Sequence, residues 1–208
     1  MKLLPILAAV GLATAQTAAP YTDAKSGITF SAYVDATSGY FFGISTPANS
    51  TGGTDFIATI GGKGTGYSGA SLGGGMLNKL LILAWPNGQN IVSSFRKAAQ
   101  YGSPAVATGT FTQTPIANGT YVNSTHWTYT FLCGKCIQTD GTTFKATDAQ
   151  PAIGFALNAN APAQKASASA SVSKHTAQGQ VKLSLKAAQH KDFEVWRTWA
   201  KREETFIA

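Results

Sequence analysis

Short apolar runs separated by Gly, Ser and Thr recur along the chain: GITFSAYV (27–34), GYFFGIS (39–45), TDFIATI (54–60), KLLILAW (79–85), ATGTFTQT (107–114), HWTYTFLC (126–133) and QVKLSL (180–185). Their β-branched and aromatic content, frequent alternation and turn-rich spacing predict antiparallel strands. In HWTYTF the period of two puts Trp127, Tyr129 and Phe131 on one face, expected in the core, and turns His126 toward solvent. Many short strands with little helix predict an all-β fold, an antiparallel β-sandwich. Two stretches break the pattern. ANAPAQKASASASVSK (159–174) lacks bulky apolar residues and reads as a long connecting loop that buries little surface. KDFEVWRTWAKREE (191–204) spaces Phe193, Trp196 and Ala200 at helical intervals and predicts a short C-terminal helix, with His190 at the surface where it starts.

The N-terminus changes the setting. Residues 1–16 carry one lysine, a short apolar run and small residues near the end, the pattern of a secretory signal peptide cleaved near Ala15 or Gln16. The remainder is expected to form one domain over 17–190 with a helical tail over 191–208. No later run is long and apolar enough for a membrane helix, so the expectation is a secreted, soluble monomer. Sequons at Asn49, Asn118 and Asn123 lie in polar surroundings and fit a secreted glycoprotein. The full chain carries +7; removal of Lys2 leaves 15 basic and 9 acidic residues, +6. The cations concentrate after residue 160, which in a secreted protein suggests an acidic protein or polymer as partner, not nucleic acid, or simply a solvated basic face.

Catalytic constellations are scarce. With nine acidic residues and no HExxH, no hydrolase site is expected, nor a Ser-centred nucleophile elbow. Cys133-Gly-Lys-Cys136 holds the only cysteines, and a CxxC can be a redox pair, half a zinc site or a disulfide. Secretion favours the disulfide, and zinc would need two further ligands. Residues three apart in a straight strand lie about 10 Å from each other, so a bridge requires Gly134 and Lys135 to turn. No His follows Cys136, which excludes covalent haem attachment through this motif. Met76, after Gly73, Gly74 and Gly75, is most simply core filler, and His175, where the 159–174 loop meets a strand, is most simply a surface residue. Together they open another reading: a thioether and an imidazole can fill both axial positions of a haem iron, and the glycines would let backbone approach a flat macrocycle.

YTDAKSGITF, GYSGASLGGGMLNKLLILAWPNG, SFRKAAQYGSP, NSTHWTYTFLCGKC and HTAQGQVKLSL, in this order over nearly the whole mature chain, resemble the secreted cytochrome domain of fungal cellobiose dehydrogenase. The resemblance implies a DOMON-like, immunoglobulin-like β-sandwich holding haem b non-covalently between Met76 and His175. It further implies Tyr101 beside a haem propionate, a Cys133–Cys136 disulfide, and electron transfer as the function. Arg96 and Lys97 are candidates for the propionate by charge and by closeness in sequence. The resemblance also implies redox partners: a secreted flavin dehydrogenase or small reductant as donor, and a copper polysaccharide monooxygenase or ferric iron as acceptor. No GxGxxG dinucleotide motif is expected in this chain, which reads as a free-standing cytochrome unable to oxidise cellobiose itself; a ferric reductase activity is the one enzymatic role left open. The competing expectation is a haem-free DOMON-like carbohydrate-binding module in which Trp85, Trp127, Trp196 or Trp199 stacks on a sugar. The third is a structural domain with neither ligand.

Overall fold

The computed structural model describes residues 17–49 and 52–200; the expected signal peptide and the end of the tail lie outside them. One sheet is built from β1 (Ala19–Thr22), β2 (Thr29–Val34), β3 (Phe41–Pro47), β4 (Phe56–Lys63), β11 (His126–Gly134) and β10 (Tyr121–Val122), in that spatial order. Within it all neighbours are antiparallel. Strand β9 (Thr112–Pro115) also pairs with β11, and the two-residue β14 (Gln189–His190) runs parallel to the end of β3. The second sheet has the order β13 (Ala177–Lys182), β12 (Ala152–Asn158), β5 (Tyr67–Ser71), β6 (Leu81–Asn87), β7 (Asn90–Lys97), β8 (Ala105–Val106), again antiparallel throughout.

The sandwich core lies between the sheets. Phe42, Ile44, Phe56, Ile60, Trp127, Tyr129 and Phe131 from the first meet Leu72, Ile82, Ala84, Ile153, Phe155 and Val181 from the second. Trp127, Tyr129 and Phe131 do share the inward face that their alternation predicts.

Neither outer face is left to water. On the first sheet, Ile28, Phe30, Ala32, Ile57 and Ile116 are covered by Phe193, Trp196 and Ala200 of helix α2 (Phe193–Trp199) and its C-cap. The helical spacing expected for this tail is therefore met over its described part. Arg197 fastens the helix by an ion pair of 2.8 Å to Asp55, whose other oxygen accepts from the Lys135 N–H. On the second sheet Leu81, Leu83 and Trp85 face outward, opposite to Ile82 and Ala84. That is why LLILAW (80–85) is apolar at every position: both of its faces are buried.

Several boundaries move. Strand character in ATGTFTQT begins only at Thr112, although Phe111 still packs edge-on to Phe95 with centroids 4.7 Å apart. QVKLSL leaves the sheet after Lys182, because Ser184 caps the four-residue α1 (Leu185–Ala188), accepting the Ala187 N–H. His190 lies in β14 before the helix, half-buried, its ring 4.3 Å from that of Trp196. Cys133 and Cys136 are bridged, with Cα atoms 5.5 Å apart because Lys135 turns through a φ of 53°. Asn49, Asn118 and Asn123 are all exposed. Among the described residues no helix is long and apolar enough to cross a membrane.

Candidate functional site

The connections that carry the two residues singled out in the sequence are both fastened to the second sheet, Met76 against the apolar cluster on its outer face and the backbone at Ser173 and Lys174 by bonds from Tyr67 and Asn158. The centre of that face is floored by small residues: Gly69 of β5 pairs with Ala156 of β12, and the next row joins Ser71 to Gly154. Tyr67, Leu81, Leu83 and Trp85 form an apolar cluster on this face, completed by Ala170 from the 159–176 connection. Met76, Val92 and Val172 pack against it, half-buried.

Met76 belongs to the β5–β6 connection, which is seated by backbone geometry. Gly74 has a φ of 81°, a conformation that a side chain strains. Its carbonyl accepts from Gln180 Nε2 at 3.2 Å, and the Gly75 carbonyl accepts from the Ser71 hydroxyl. A Cβ on Gly154 would stand 2.2 Å from the Gly74 oxygen, so the strand beneath must be bare there. The three glycines do different things. Gly73 packs against the Lys79 stem and the Thr142 carbonyl, Gly74 makes the turn, and only a Cβ on Gly75 would meet open space.

His175 is presented by a pinned backbone. The Tyr67 hydroxyl donates to the Ser173 carbonyl at 2.7 Å, Asn158 Nδ2 donates to the Lys174 carbonyl at 2.7 Å, and the Thr176 N–H donates to the Leu157 carbonyl at 2.8 Å. The imidazole itself is half-buried and has no hydrogen-bond or ion-pair partner among the described residues. Tyr67 thus links the two segments: its ring belongs to the cluster against which Met76 packs, and its hydroxyl holds the approach to His175. Burial pushes that phenol up to about 12.

The 159–174 stretch, expected to bury little, is strapped down. Trp85 Nε1 donates to the Lys165 carbonyl at 2.7 Å, and the Val172 N–H donates to Ser103 Oγ at 3.0 Å. Arg96 is 1% exposed, and its guanidinium donates to the carbonyls of Pro104, Ala168 and Ala170 and, through Nε, to Ser94 Oγ. These bonds make Arg96 a buried clamp on the loop, and burial lowers its pKa. Lys97 is exposed, as is Tyr101, which at 80% is the most open large apolar side chain among the described residues. Sequence reasoning missed this comb of buried donors, since Trp85 and Arg96 read only as core and charge. It also missed Gly154 and Tyr67.

Glycine-rich strings acquire their meaning here. Gly64-Thr65-Gly66-Tyr67-Ser68-Gly69 does spell GxGxxG, contrary to expectation, and Gly69-Ala70-Ser71-Leu72-Gly73 spells GxSxG. Both run through the antiparallel strand β5 and lead into the Met76 connection, not from a strand into a helix, so neither has its motif's context. The tryptophans proposed for sugar stacking are also accounted for. Trp85, Trp127 and Trp196 are buried, and Trp199 packs half-buried against the helix-side cluster.

Residues 21–195 match the family model described as the cytochrome domain of cellobiose dehydrogenase. The chain belongs to this family. The cytochrome domain of Myriococcum thermophilum cellobiose dehydrogenase superimposes with a TM-score of 0.79 at 26% identity, covering 89% of this chain and 97% of that one. The cytochrome b domain of pyranose dehydrogenase from Coprinopsis cinerea shares the fold, with a TM-score of 0.80 at 22% identity and the same coverage. Membership of the cellobiose dehydrogenase cytochrome-domain family implies a haem-binding domain with a fold suited to electron transfer. The residues present fit such a group. Among the described residues no cluster of three or more His, Cys, Asp or Glu is placed to hold a bare metal ion, whereas a haem needs only two protein donors. The second sheet supplies a thioether on its outer face, a floor of Gly69, Ala156 and Gly154, and, at the end of the connection fastened to it, an unpartnered His175.

Proposed function

We propose that this protein is a secreted b-type cytochrome that carries single electrons, with Met76 and His175 as the axial ligands of a non-covalent haem b. The observation that carries the reading is a half-buried Met76 on the apolar sheet face together with an unpartnered His175 on a backbone fastened to the same sheet, inside a chain of this family. When bound, haem supplies a one-electron couple, and a His/Met pair closes both axial positions, which favours electron transfer over substrate chemistry at iron.

The chain's own residues do the rest. Gly74 and Gly75 bring the Met76 backbone close to the site, and the bare floor beneath leaves room for a flat ring. Tyr67 and Asn158 fix the backbone ahead of His175, so the imidazole is aimed before the ligand arrives. Leu81, Leu83, Val92 and Val172 exclude water from one side. Tyr101 and Lys97, both exposed, are the proposed contacts to the propionates, while Arg96 supports from beneath the loop it clamps. The electron donor is a secreted flavin dehydrogenase or a small reductant, and the acceptor a copper polysaccharide monooxygenase or ferric iron. Sequons at Asn49, Asn118 and Asn123, all exposed, carry glycans on the secreted form.

Substituting the ligands tests the assignment. Met76→Ala and His175→Ala, expressed with sufficient haem, should each lose the low-spin six-coordinate reduced spectrum while keeping the far-UV signature of the sandwich. An unchanged reduced spectrum in either variant removes that residue from the iron.

A further inference from the structure

The charges of this protein are sorted by sheet. The second sheet, with the connections 72–80, 98–104 and 159–176 that cover it, contains no Asp or Glu at all, yet it carries Lys79, Arg96, Lys97, Lys165, Lys174 and Lys182. Asp23, Asp35, Asp55, Asp192 and Glu194 belong to the first sheet, its loops and its helix, and Asp140 and Asp148 to the connection between β11 and β12. Three of the six cations are partly committed: Arg96 is buried against carbonyls, Lys79 Nζ donates to the Gly141 carbonyl at 2.7 Å, and Lys97 helps hold the Asp140 carboxyl below its ordinary range, behind the Thr142 hydrogen bonds. Lys165, Lys174 and Lys182 are exposed and form no ion pair among the described residues. Two propionates of a bound haem would still leave this face net positive. An exposed apolar side chain lies on the same face: Val106, on the edge strand β8, pairs with Arg96 in the sheet register and is 45% exposed.

We infer that the Met76/His175 face is a docking surface for an acidic protein that exchanges electrons with this one. The inference rests on the proposed function. A net-positive face beside the electron exit steers an anionic partner into a productive orientation, whereas cations spread over the whole surface raise only the rate of random encounter. An exposed apolar side chain on a basic face fits a protein interface, in contrast to the even charge contacts a polyanionic polymer makes. The basic region noticed after residue 160 is thereby divided: Lys165, Lys174 and Lys182 belong to this face, and Lys186, Lys191 and Arg197 to the far side.

The experiment uses the haem-loaded, reduced full chain and follows its oxidation by an acidic blue-copper protein and by a basic c-type cytochrome across a salt series. The rate with the acidic acceptor should fall about tenfold between about 10 mM and about 300 mM salt, and the rate with the basic acceptor should not fall. Lys165→Gln/Lys174→Gln/Lys182→Gln should lower the low-salt rate with the acidic acceptor about tenfold and flatten its salt dependence, while Lys25→Gln/Lys135→Gln/Lys191→Gln, which removes the same charge from elsewhere, should change it less than about twofold. Val106→Ser should slow the acidic acceptor about threefold. Equal effects of the two triple variants would overturn the inference, since net charge alone would then be acting. Tight binding of polygalacturonate together with no effect of Val106→Ser would overturn it in favour of a polymer. A chain that takes up no haem refutes the proposed function and this inference with it; a normal haem spectrum with salt-indifferent rates refutes the docking face alone.

Discussion

At the residue scale the site depends on side chains that are missing as much as on those present. Gly154 permits the Gly74 carbonyl to lie against β12, and a Cβ there would come within 2.2 Å of that oxygen. Gly154→Ala should therefore displace the Met76 connection, cost about 1–3 kcal/mol in denaturant unfolding and weaken haem retention, although it touches neither proposed ligand. Tyr67 makes a second prediction. Burial raises its phenol from 10.0 to about 12, and burial, then Asp23 and Tyr121, raises Tyr21 to about 12 as well. The folded state holds these protons more tightly than the unfolded state, so their stabilisation is complete below about pH 10 and is lost as pH climbs toward about 12. Thermal unfolding should show stability falling across that window, with a shallower fall in Tyr67→Phe. None of this was legible in the sequence. The need for a bare Gly154 is created by an oxygen in a distant loop, and Tyr67 read as one aromatic in a Gly/Ser run. Met76 and His175 stand out in the sequence only as a pair of the right chemical types, and it is the family resemblance that joins them as the proposed ligands.

At the scale of elements, the two covers of the sandwich differ in kind. Helix α2 holds by apolar burial, with Phe193 and Trp196 on Ile28, Phe30, Ile57 and Ile116. The 159–176 connection holds chiefly by hydrogen bonds from Trp85, Arg96, Tyr67 and Asn158. Trp196→Ala should cost about 3–5 kcal/mol in chemical denaturation yet leave the haem spectrum of the folded protein unchanged, because the helix lies on the opposite sheet. A spectrum altered along with stability would show that the two faces are coupled. The helix was legible because Phe193, Trp196 and Ala200 follow a period that tertiary contacts then used. Strand β5 was not. YSGAS has few β-branched or bulky residues, and its place in the sheet is set by pairing with β6 and β12 on either side.

For the whole molecule, the sandwich class was legible from the repeated short strands, most clearly from HWTYTF, whose aromatics all face inward. The order of strands was not, since pairings such as β4 with β11 and β5 with β12 join segments far apart in sequence. What the assembled molecule adds is asymmetry: one sheet carries the helix and the described carboxylates near it, and the other carries the small-residue floor, Met76, His175 and unopposed lysines. That division supports a protein whose business is conducted through one face. The most direct test is the absorption spectrum of the purified full chain, produced with sufficient haem, recorded oxidised and then dithionite-reduced. A stoichiometric, reversibly reducible low-spin spectrum with sharp α and β bands is the predicted result; a protein that folds normally but carries no haem absorbance would contradict the account.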